Sequence, residues 1–376
     1  MSKKQIVILI ILVLLAVAAF GVYYFYFRPK LAEQKIGVNT PPVAQPVSGG
    51  EVAAADEKLK QLSQVISVSP ALGASGKTVK FVGKEGGIYE IDFDGQNLKE
   101  SKFTALKNLM RVLWSQDKIS FIGIYDGDGI KKISYYDTGK QTATPFNQSV
   151  RQIAFYEKEN KVAYHYFDGS LESSSIIISD PNGENPKTIF RTRLGELRLD
   201  WINETKIAVS TVPTGLAENT LWILDVNTQK LRSILPNIYG LTAKWSHSGE
   251  NFIFAKTDSK GNNLTLNTAN QTGTQTNRLD IITLPEKCVF AKDDQNIICA
   301  APKETLDIVW PDDYYKKLYS AQEQIWKIGL DGKKKDMLYE FSTNDFDATN
   351  LLLSGDENYL AFLNRKDGYV YSVKLK

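Results

Sequence analysis

A unit of about 44 residues recurs along most of this 376-residue chain, and a repeat of that length constrains the possible fold strongly. Each copy begins with a large apolar residue, followed by a small polar turn and a stretch of alternating apolar residues. The leading residues are Leu72, Trp114, Tyr156, Trp201, Trp245, Phe290 and Leu353. Their spacings are 42, 42, 45, 44, 45 and 63 residues, which predicts seven copies with one insertion in the sixth.

The residues within each copy alternate between apolar and polar with the period of a β-strand, as in 251–255. Turn residues recur after the third strand, as in 94–95 and 331–332. Four strands fit each copy, and a lone four-stranded sheet cannot bury both of its faces. Because radially arranged sheets bury them against each other, the sequence predicts an all-β, seven-bladed β-propeller of four-stranded antiparallel blades over residues 58–376.

Closure of this ring needs one more strand, because the seventh copy ends after its third strand, Tyr369 to Leu375. The segment Lys58 to Leu62 resembles Lys230 to Ile234, the outer strand of the fourth copy. We therefore expect residues 58 to 62 to supply the missing outer strand. An amphipathic helix from Glu51 to Gln64 is the alternative that the Ala, Glu, Lys and Leu content allows.

Several segments resemble a known propeller repeat. Residues 114–121, 245–254 and 354–362 are similar to degenerate copies of the TolB-type (WD40-like) repeat, W-S-P-D-G-K-x-I-A-F. Residues 88–95 resemble its second half, I-Y-x-x-D-x-D-G. The resemblance covers about residues 58 to 376 and implies an extracytoplasmic binding or assembly module.

The N-terminal run Ile6 to Phe27 contains no charged residue and is mostly apolar. As a helix rising about 1.5 Å per residue it would span roughly 33 Å, enough to cross a bilayer. We expect residues 1–30 to form a cytoplasmic tail and a transmembrane signal anchor, and residues 31–57 a Pro/Gly/Ala-rich linker. The propeller would then be extracytoplasmic on a single-pass membrane protein. A signal peptide cleaved near Ala16 to Ala18 is the alternative.

The composition excludes several functions. Lys plus Arg number 45 against 43 Asp plus Glu, so there is no cationic excess for nucleic-acid binding. The two histidines, His165 and His247, leave little material for a metal site or for general-base catalysis, and we expect no cofactor. Residues 71–78 match a loose phosphate-loop pattern, but a strand follows where a helix is needed, so nucleotide binding is not expected.

These observations predict a non-enzymatic, membrane-anchored module that binds or scaffolds a protein, a peptide or an envelope polymer. One alternative is a propeller hydrolase or lyase that acts through carboxylates at the central channel. Another is a structural or sensory subunit of a membrane complex. Converging acids in the channel would favour the enzyme, and an exposed aromatic patch would favour binding.

The insertion, residues 302–324, lies between the second and third strands of the sixth copy and is rich in aromatic and acidic residues. Its candidate binding residues are Trp310, Asp312, Asp313, Tyr314 and Tyr315. The equivalent loops of the second and third copies contribute Asp126, Asp128 and Asp168. Since alternate loops of an antiparallel blade open on one side, we expect one face to bind the partner through these residues. In the alternative, the aromatic side chains pack back onto the blades as a lid.

The two cysteines, Cys288 and Cys299, bracket the first hairpin of the sixth copy. If Phe290 pairs with Ile297, as the repeat predicts, the cysteines lie directly opposite each other. Opposite Cα atoms are then about 4.5 or 5.5 Å apart, which a disulfide accepts. A disulfide is expected if the domain is exported, and two buried thiols are the alternative.

Overall fold

A computed structural model describes Gln5 and residues 57–103, 108–127 and 129–376. The chain divides into two compact units, Met1–Ala55 and Asp56–Lys376, and the architecture below is that of the second. The expected membrane span, Ile6 to Phe27, and the linker before Glu57 lie outside the described residues. Within the described ranges, no helix is long and apolar enough to span a bilayer.

The described residues of the second unit form seven four-stranded antiparallel sheets, which confirms the predicted seven-bladed propeller. In most blades the first strand contacts the first strand of a neighbouring blade, so the first strands surround the central axis. The strands of blades one to three, from inside to outside, are β2 (Ser67–Leu72), β3 (Thr78–Gly83), β4 (Gly87–Asp92) and β5 (Lys99–Lys102); β6 (Leu109–Trp114), β7 (Ser120–Gly127), β8 (Ile130–Asp137) and β9 (Thr142–Pro145); β10 (Val150–Tyr156), β11 (Lys161–Asp168), β12 (Ser173–Ser179) and β13 (Lys187–Thr192).

The remaining blades repeat this order. The strands of blades four to six are β14 (Arg198–Asn203), β15 (Lys206–Ser210), β16 (Glu218–Asp225) and β17 (Leu231–Tyr239); β18 (Thr242–Trp245), β19 (Asn251–Lys256), β20 (Thr265–Asn270) and β21 (Asn277–Leu279); β22 (Cys288–Phe290), β23 (Asn296–Pro302), β24 (Glu323–Gly329) and β25 (Lys335–Glu340). Blade seven consists of β26 (Ala348–Leu353), β27 (Tyr359–Asn364), β28 (Val370–Lys374) and β1 (Leu59–Gln61). The described helical segments are the α-helical turn Asp312–Tyr315 and the 3-10 turns Glu157–Glu159 and Pro285–Lys287.

The leading residues of the repeat lie at or near the last position of each innermost strand. There they pack within and between blades. Trp245 lies opposite Phe252 in the ladder, with ring centroids 4.5 Å apart. Tyr156 of blade three stacks on Trp201 of blade four at 5.2 Å. The periodic large residue therefore marks the position at which adjacent sheets bury their facing surfaces.

The ring closes through the N-terminal segment of the second unit. Strand β1 pairs antiparallel with β28, and Leu59 lies opposite Val373. Leu62 follows the strand, is 3% exposed and packs in the core between blades seven and one. The predicted closing strand is confirmed. The alternative, an amphipathic helix that includes these residues, is wrong, because Leu59–Gln61 pair in a β-ladder.

The hairpin of β22 and β23 has the register that the repeat predicts. Phe290 lies opposite Ile297, and Cys288 lies opposite Cys299. The two sulfur atoms are 2.11 Å apart, so the cysteines form a disulfide. Both cysteines are fully buried, which places the bond in the core between blades five and six.

Candidate functional site

One face of the propeller carries the insertion, and we call it the insertion face. It comprises the links between blades and the loops between the second and third strands of each blade. These loops open on one side because successive antiparallel strands reverse direction. In blade six, the loop on this face is the segment between β23 and β24, residues 303–322.

The aromatic residues of the insertion are largely buried, as the lid alternative describes. Trp310 and Tyr314 are each 2% exposed, and they pack with Tyr319 and with residues of blades five and six. The backbone N–H of Trp310 also donates a hydrogen bond of 2.8 Å to the carbonyl oxygen of Gly261 in blade five. Trp310 and Tyr314 are therefore not exposed anchors, because their rings bury apolar surface against the blades.

The two acids of the insertion hold its loop in place. Asp312 accepts hydrogen bonds from the hydroxyl of Thr214, at 2.9 Å, and from the N–H of Gly215, at 2.7 Å, in blade four. Asp313 accepts one of 2.9 Å from the N–H of Val309 within the insertion. Both carboxylates thus satisfy backbone donors of the fold, which leaves them less available to a partner.

Tyr315 is the predicted aromatic anchor that stays at the surface, with 37% of its area exposed. Its ring lies 5.4 Å from the guanidinium carbon of Arg198, a cation–π arrangement. Burial of the hydroxyl, and then the nearby Glu286 carboxylate, raise the pKa of Tyr315 well above its usual value. Tyr315 therefore connects the insertion with the innermost strand of blade four.

A buried ionic cluster fastens the insertion to blades six and seven, and we call it the clamp: Lys287, Tyr314, Tyr319, Glu323, Asp347 and Arg365. The ammonium group of Lys287 is fully buried and lies 2.8 Å from a Glu323 oxygen and 2.6 Å from an Asp347 oxygen. The guanidinium group of Arg365 pairs with Asp347 at 2.7 Å. Each buried charge of the clamp therefore has an opposite partner.

The clamp also holds the insertion through its tyrosines. Tyr319 donates a hydrogen bond of 2.5 Å to Glu323. The Arg365 guanidinium lies 3.7 Å from the ring centroid of Tyr314 and donates to the carbonyl of that residue at 2.8 Å. Burial disfavours the charge of Lys287, but Glu323, Tyr314 and Asp347 outweigh it and raise the pKa of this lysine well above its usual value. The ammonium group of Lys287 thus carries its charge near neutral pH.

The acids predicted in neighbouring loops stabilise their own turns. Asp126 accepts a hydrogen bond of 2.7 Å from the N–H of Gly129, and Asp168 accepts one of 2.9 Å from the N–H of Ser170. No hydrogen bond or ion pair joins Asp126 or Asp168 to the insertion in the part of the chain that the structure describes. Asp128 lies outside the described residues.

A charged cluster on the innermost strands was not predicted from the sequence. It consists of Arg111 on β6, Arg198 and Asp200 on β14, and Lys244 on β18, and we call it the channel cluster. Burial raises the pKa of Asp200, although Arg111, Arg198 and Lys244 oppose that shift. Burial likewise lowers the pKa of Lys244 to about 8, against the opposing effect of Glu286 and Asp200. The side chains of Arg111, Arg198 and Asp200 are nevertheless exposed to solvent, and that of Lys244 is half-buried.

A sequence signal for this cluster exists. Asp200 and Lys244 each stand immediately before a leading residue of the repeat, Trp201 and Trp245, where other copies carry an apolar residue such as Leu352. Charged groups with perturbed pKa values are often found at functional sites. Among the described residues, no three His, Cys, Asp or Glu side chains converge as metal ligands.

A groove of about 450 Å³ lies farther from the axis, between blades two and three. Lys161 and Asp180 face each other in it, and the ammonium nitrogen lies 2.5 Å from a carboxylate oxygen. This ion pair satisfies both charges. The groove therefore offers fewer charged groups without a partner than the channel cluster does.

Comparison with known proteins shows the fold. No protein-family model and no curated protein matches the chain. Among solved structures, an oligogalacturonate lyase in complex with manganese matches with a TM-score of 0.64 and 10% identity, over 86% of this chain and 94% of that one. The oligogalacturonate lyase of Vibrio parahaemolyticus gives 0.63 and 10%, over 86% and 95%. A chain of the Mitotic Checkpoint Complex gives 0.55 and 13%, over 89% and 99%.

These neighbours correct one expectation. The scarcity of histidine and cysteine predicted a protein that is not an enzyme, and that prediction is wrong, because two oligogalacturonate lyases share this fold over most of both chains. The scarcity of histidine and cysteine therefore does not decide against catalysis. At identities of 10 to 13% the likeness shows a β-propeller and no particular activity. The narrower TolB-type assignment stays a prediction.

Proposed function

We propose that the protein is a docking module whose insertion face binds a partner protein. The observation that carries this proposal is the placement of exposed apolar side chains among the described residues. Nine of the twelve large ones lie in the loops and links of the insertion face or at the strand ends next to them: Ile66, Met110, Ile130, Leu171, Leu194, Val212, Leu216, Tyr315 and Leu318. The other three, Leu98, Ile119 and Met337, lie on the opposite face or on an outer strand. Apolar side chains gathered on one face are typical of a protein-binding surface.

The architecture of the insertion supports this proposal. Leu216, 61% exposed, belongs to the loop of blade four that Asp312 holds, and Leu318, 63% exposed, belongs to the insertion itself. The clamp fixes the insertion to the blades. The loops that carry Leu216 and Leu318 are therefore already held in place before a partner binds. A surface organised in advance binds more tightly, because less conformational entropy is lost on association.

A paired substitution tests the docking function. We expect Leu216→Ser with Leu318→Ser to lower retention of a partner by about tenfold or more, since loss of central apolar contacts costs over 1 kcal/mol each. The immobilised full chain would be incubated with solubilised membranes, and retained proteins would be quantified by mass spectrometry. Leu98→Ser with Ile119→Ser is the matched control, because it removes similar exposed side chains from the other face. If no protein distinguishes the two variants, the insertion face is not the docking surface.

We also propose that the propeller is extracytoplasmic. The buried disulfide between Cys288 and Cys299 supports this location, since such bonds persist in oxidising compartments. We expect no free thiol when the protein from its native source is unfolded and labelled without reductant, and two after reduction. Two labelled thiols before reduction would contradict export.

A further inference from the structure

The junction between blades three and four encloses a histidine without a hydrogen-bond partner. His165 lies on β11 opposite Ile176 of β12, and Ile176 packs in the apolar core between the two blades. The side chain of His165 is completely buried. Neither of its ring nitrogens makes a hydrogen bond of ordinary geometry to a residue that the structure describes. A buried polar group without a partner costs free energy, so the stability of the fold does not explain a histidine at this position.

A second polar side chain without a partner lies at the same junction. Thr211 directly follows β15 of blade four, and strand alternation places it on the face of β15 that carries Val209, which packs in the same core. Its hydroxyl oxygen is buried and makes no hydrogen bond within the described part of the chain. The link between the two blades, residues 193–197, is tied to blade three by a hydrogen bond of 2.6 Å from the hydroxyl of Ser174 to the carbonyl oxygen of Leu194. Two polar side chains therefore remain unpaired where blades three and four meet.

The groups around His165 favour its neutral form. Burial, and then the positive charge of Arg151 on β10, lower the pKa of His165, and Lys131 on β8 acts in the same direction. The Glu196 carboxylate and the Leu194 carbonyl oxygen, both on the link, oppose this shift without cancelling it. The ring is therefore neutral near neutral pH, and a proton added to it would be buried near two cations.

We propose that His165 makes the junction between blades three and four an acid-sensitive element, in which protonation of the ring opens the link 193–197. A histidine in the open or unfolded chain binds a proton near pH 6.5. The closed junction binds that proton only at a lower pH. Its contribution to stability is therefore complete above about pH 6.5 and declines as the pH falls below that value.

Opening of the link would change the insertion face, and this consequence rests on the proposed docking function. Leu194 on the link is 42% exposed, and Leu171 in a loop of blade three is 73% exposed. Both belong to the exposed apolar side chains of that face. Displacement of the link moves Leu194 away from its place on the docking surface, so mild acid should release a partner that binds there.

Urea denaturation of the full chain at several pH values tests the acid-sensitive element. From about pH 6.5 to 5.5, we expect the unfolding equilibrium constant of the wild type to rise by up to about tenfold more than that of His165→Gln, because unfolding takes up one proton at His165. His247→Gln is the matched control, since His247 is the other histidine of the chain and its side chain is 63% exposed. It should keep the wild-type rise. His165→Phe is a second variant that cannot bind the proton, and it should lose the rise as His165→Gln does.

Hydrogen exchange followed by mass spectrometry locates the change. After correction for the intrinsic effect of pH, peptides covering the link 193–197 should exchange faster at pH 5.5 than at pH 7.5 in the wild type and not in the His165 variants. The proposal is overturned if the wild type and both His165 variants show the same rise in the unfolding constant, or if the link does not open in the wild type.

Release of a partner is measured separately. Proteins retained on the immobilised chain at pH 7.5 should be released at pH 5.5 from the wild type and kept by His165→Gln. If the link opens while a partner stays bound, the release step is wrong and the acid-sensitive element stands. If Leu216→Ser with Leu318→Ser retains every partner, the docking function fails, and the unfolding and exchange results still decide the role of His165.

Discussion

Replacing Lys287 with methionine is expected to lower the free energy of unfolding by about 3 to 5 kcal/mol. Lys287 is fully buried, and its ammonium group is shared by the carboxylates of Glu323 and Asp347. Its removal leaves Glu323 buried without a cation, whereas Asp347 keeps Arg365. The unpaired carboxylate must then become protonated or draw in water, and either process destabilises the contact between the insertion and blade seven.

Urea denaturation followed by tryptophan fluorescence measures this effect. Lys303→Met is the control, because Lys303 pairs with Glu340 at a similar distance of 2.6 Å but is 45% exposed. An exposed pair contributes about 0 to 1 kcal/mol, so the control should lose no more than that. Glu323→Gln added to Lys287→Met should restore part of the lost stability. Equal losses of unfolding free energy in the Lys287 and Lys303 variants would show that burial of the clamp does not increase its contribution to stability.

The stability lost in Lys287→Met should also depend on pH. Burial opposes ionisation of Asp347, but Lys287 and Arg365 outweigh it and hold the pKa of Asp347 below its usual value. A carboxyl group with a depressed pKa stabilises the fold above its ordinary pKa, and this contribution disappears as the pH falls through the folded-state value. The difference between the wild type and Lys287→Met should therefore narrow below about pH 4.

Removing residues 1–62 should destabilise the whole ring by about 4 kcal/mol or more, whereas removing 1–56 should have little effect on the propeller. The longer deletion removes β1 and the buried side chain of Leu62, and loss of a buried leucine side chain alone costs about 2 to 5 kcal/mol. It also leaves β28 as an open sheet edge, which favours association between molecules. Thermal unfolding and size-exclusion chromatography of the two truncated proteins measure both effects.

Addition of the missing strand provides the control for this experiment. A synthetic peptide of residues 57–66 should stabilise the 1–62 deletion in a concentration-dependent manner, because it binds the folded ring and not the unfolded chain. A peptide with Leu62→Asp should stabilise it less, since that side chain enters the core. If both truncated proteins unfold at the same temperature, closure by β1 contributes nothing to the stability of the ring.

Local sequence was enough to predict the blades and the register of two hairpins. Trp245 and Phe252 are seven residues apart, so alternation and a turn signal suffice to place them opposite each other. The same register brought Cys288 opposite Cys299. Strand β1 could be predicted because the repeat defines how many strands each blade contains. A ring of equal blades in which one strand is missing requires a strand from elsewhere in the chain.

The sequence by itself thus determined the repeat, the number of blades, the closing strand and the position of the insertion, because these follow from a period and from turn residues a few positions apart. Only the tertiary structure decided that Trp310 and Tyr314 face inward and that Arg111, Asp200 and Lys244 share the channel. Aromatic composition is the same for a lid and for a binding patch, and the choice depends on the apolar surface that blades five and six present. Arg111 and Asp200 are 89 residues apart in the sequence, and Asp200 and Lys244 are 44 apart. The approach of residues on different blades is set by the radial packing of the sheets and by no local pattern.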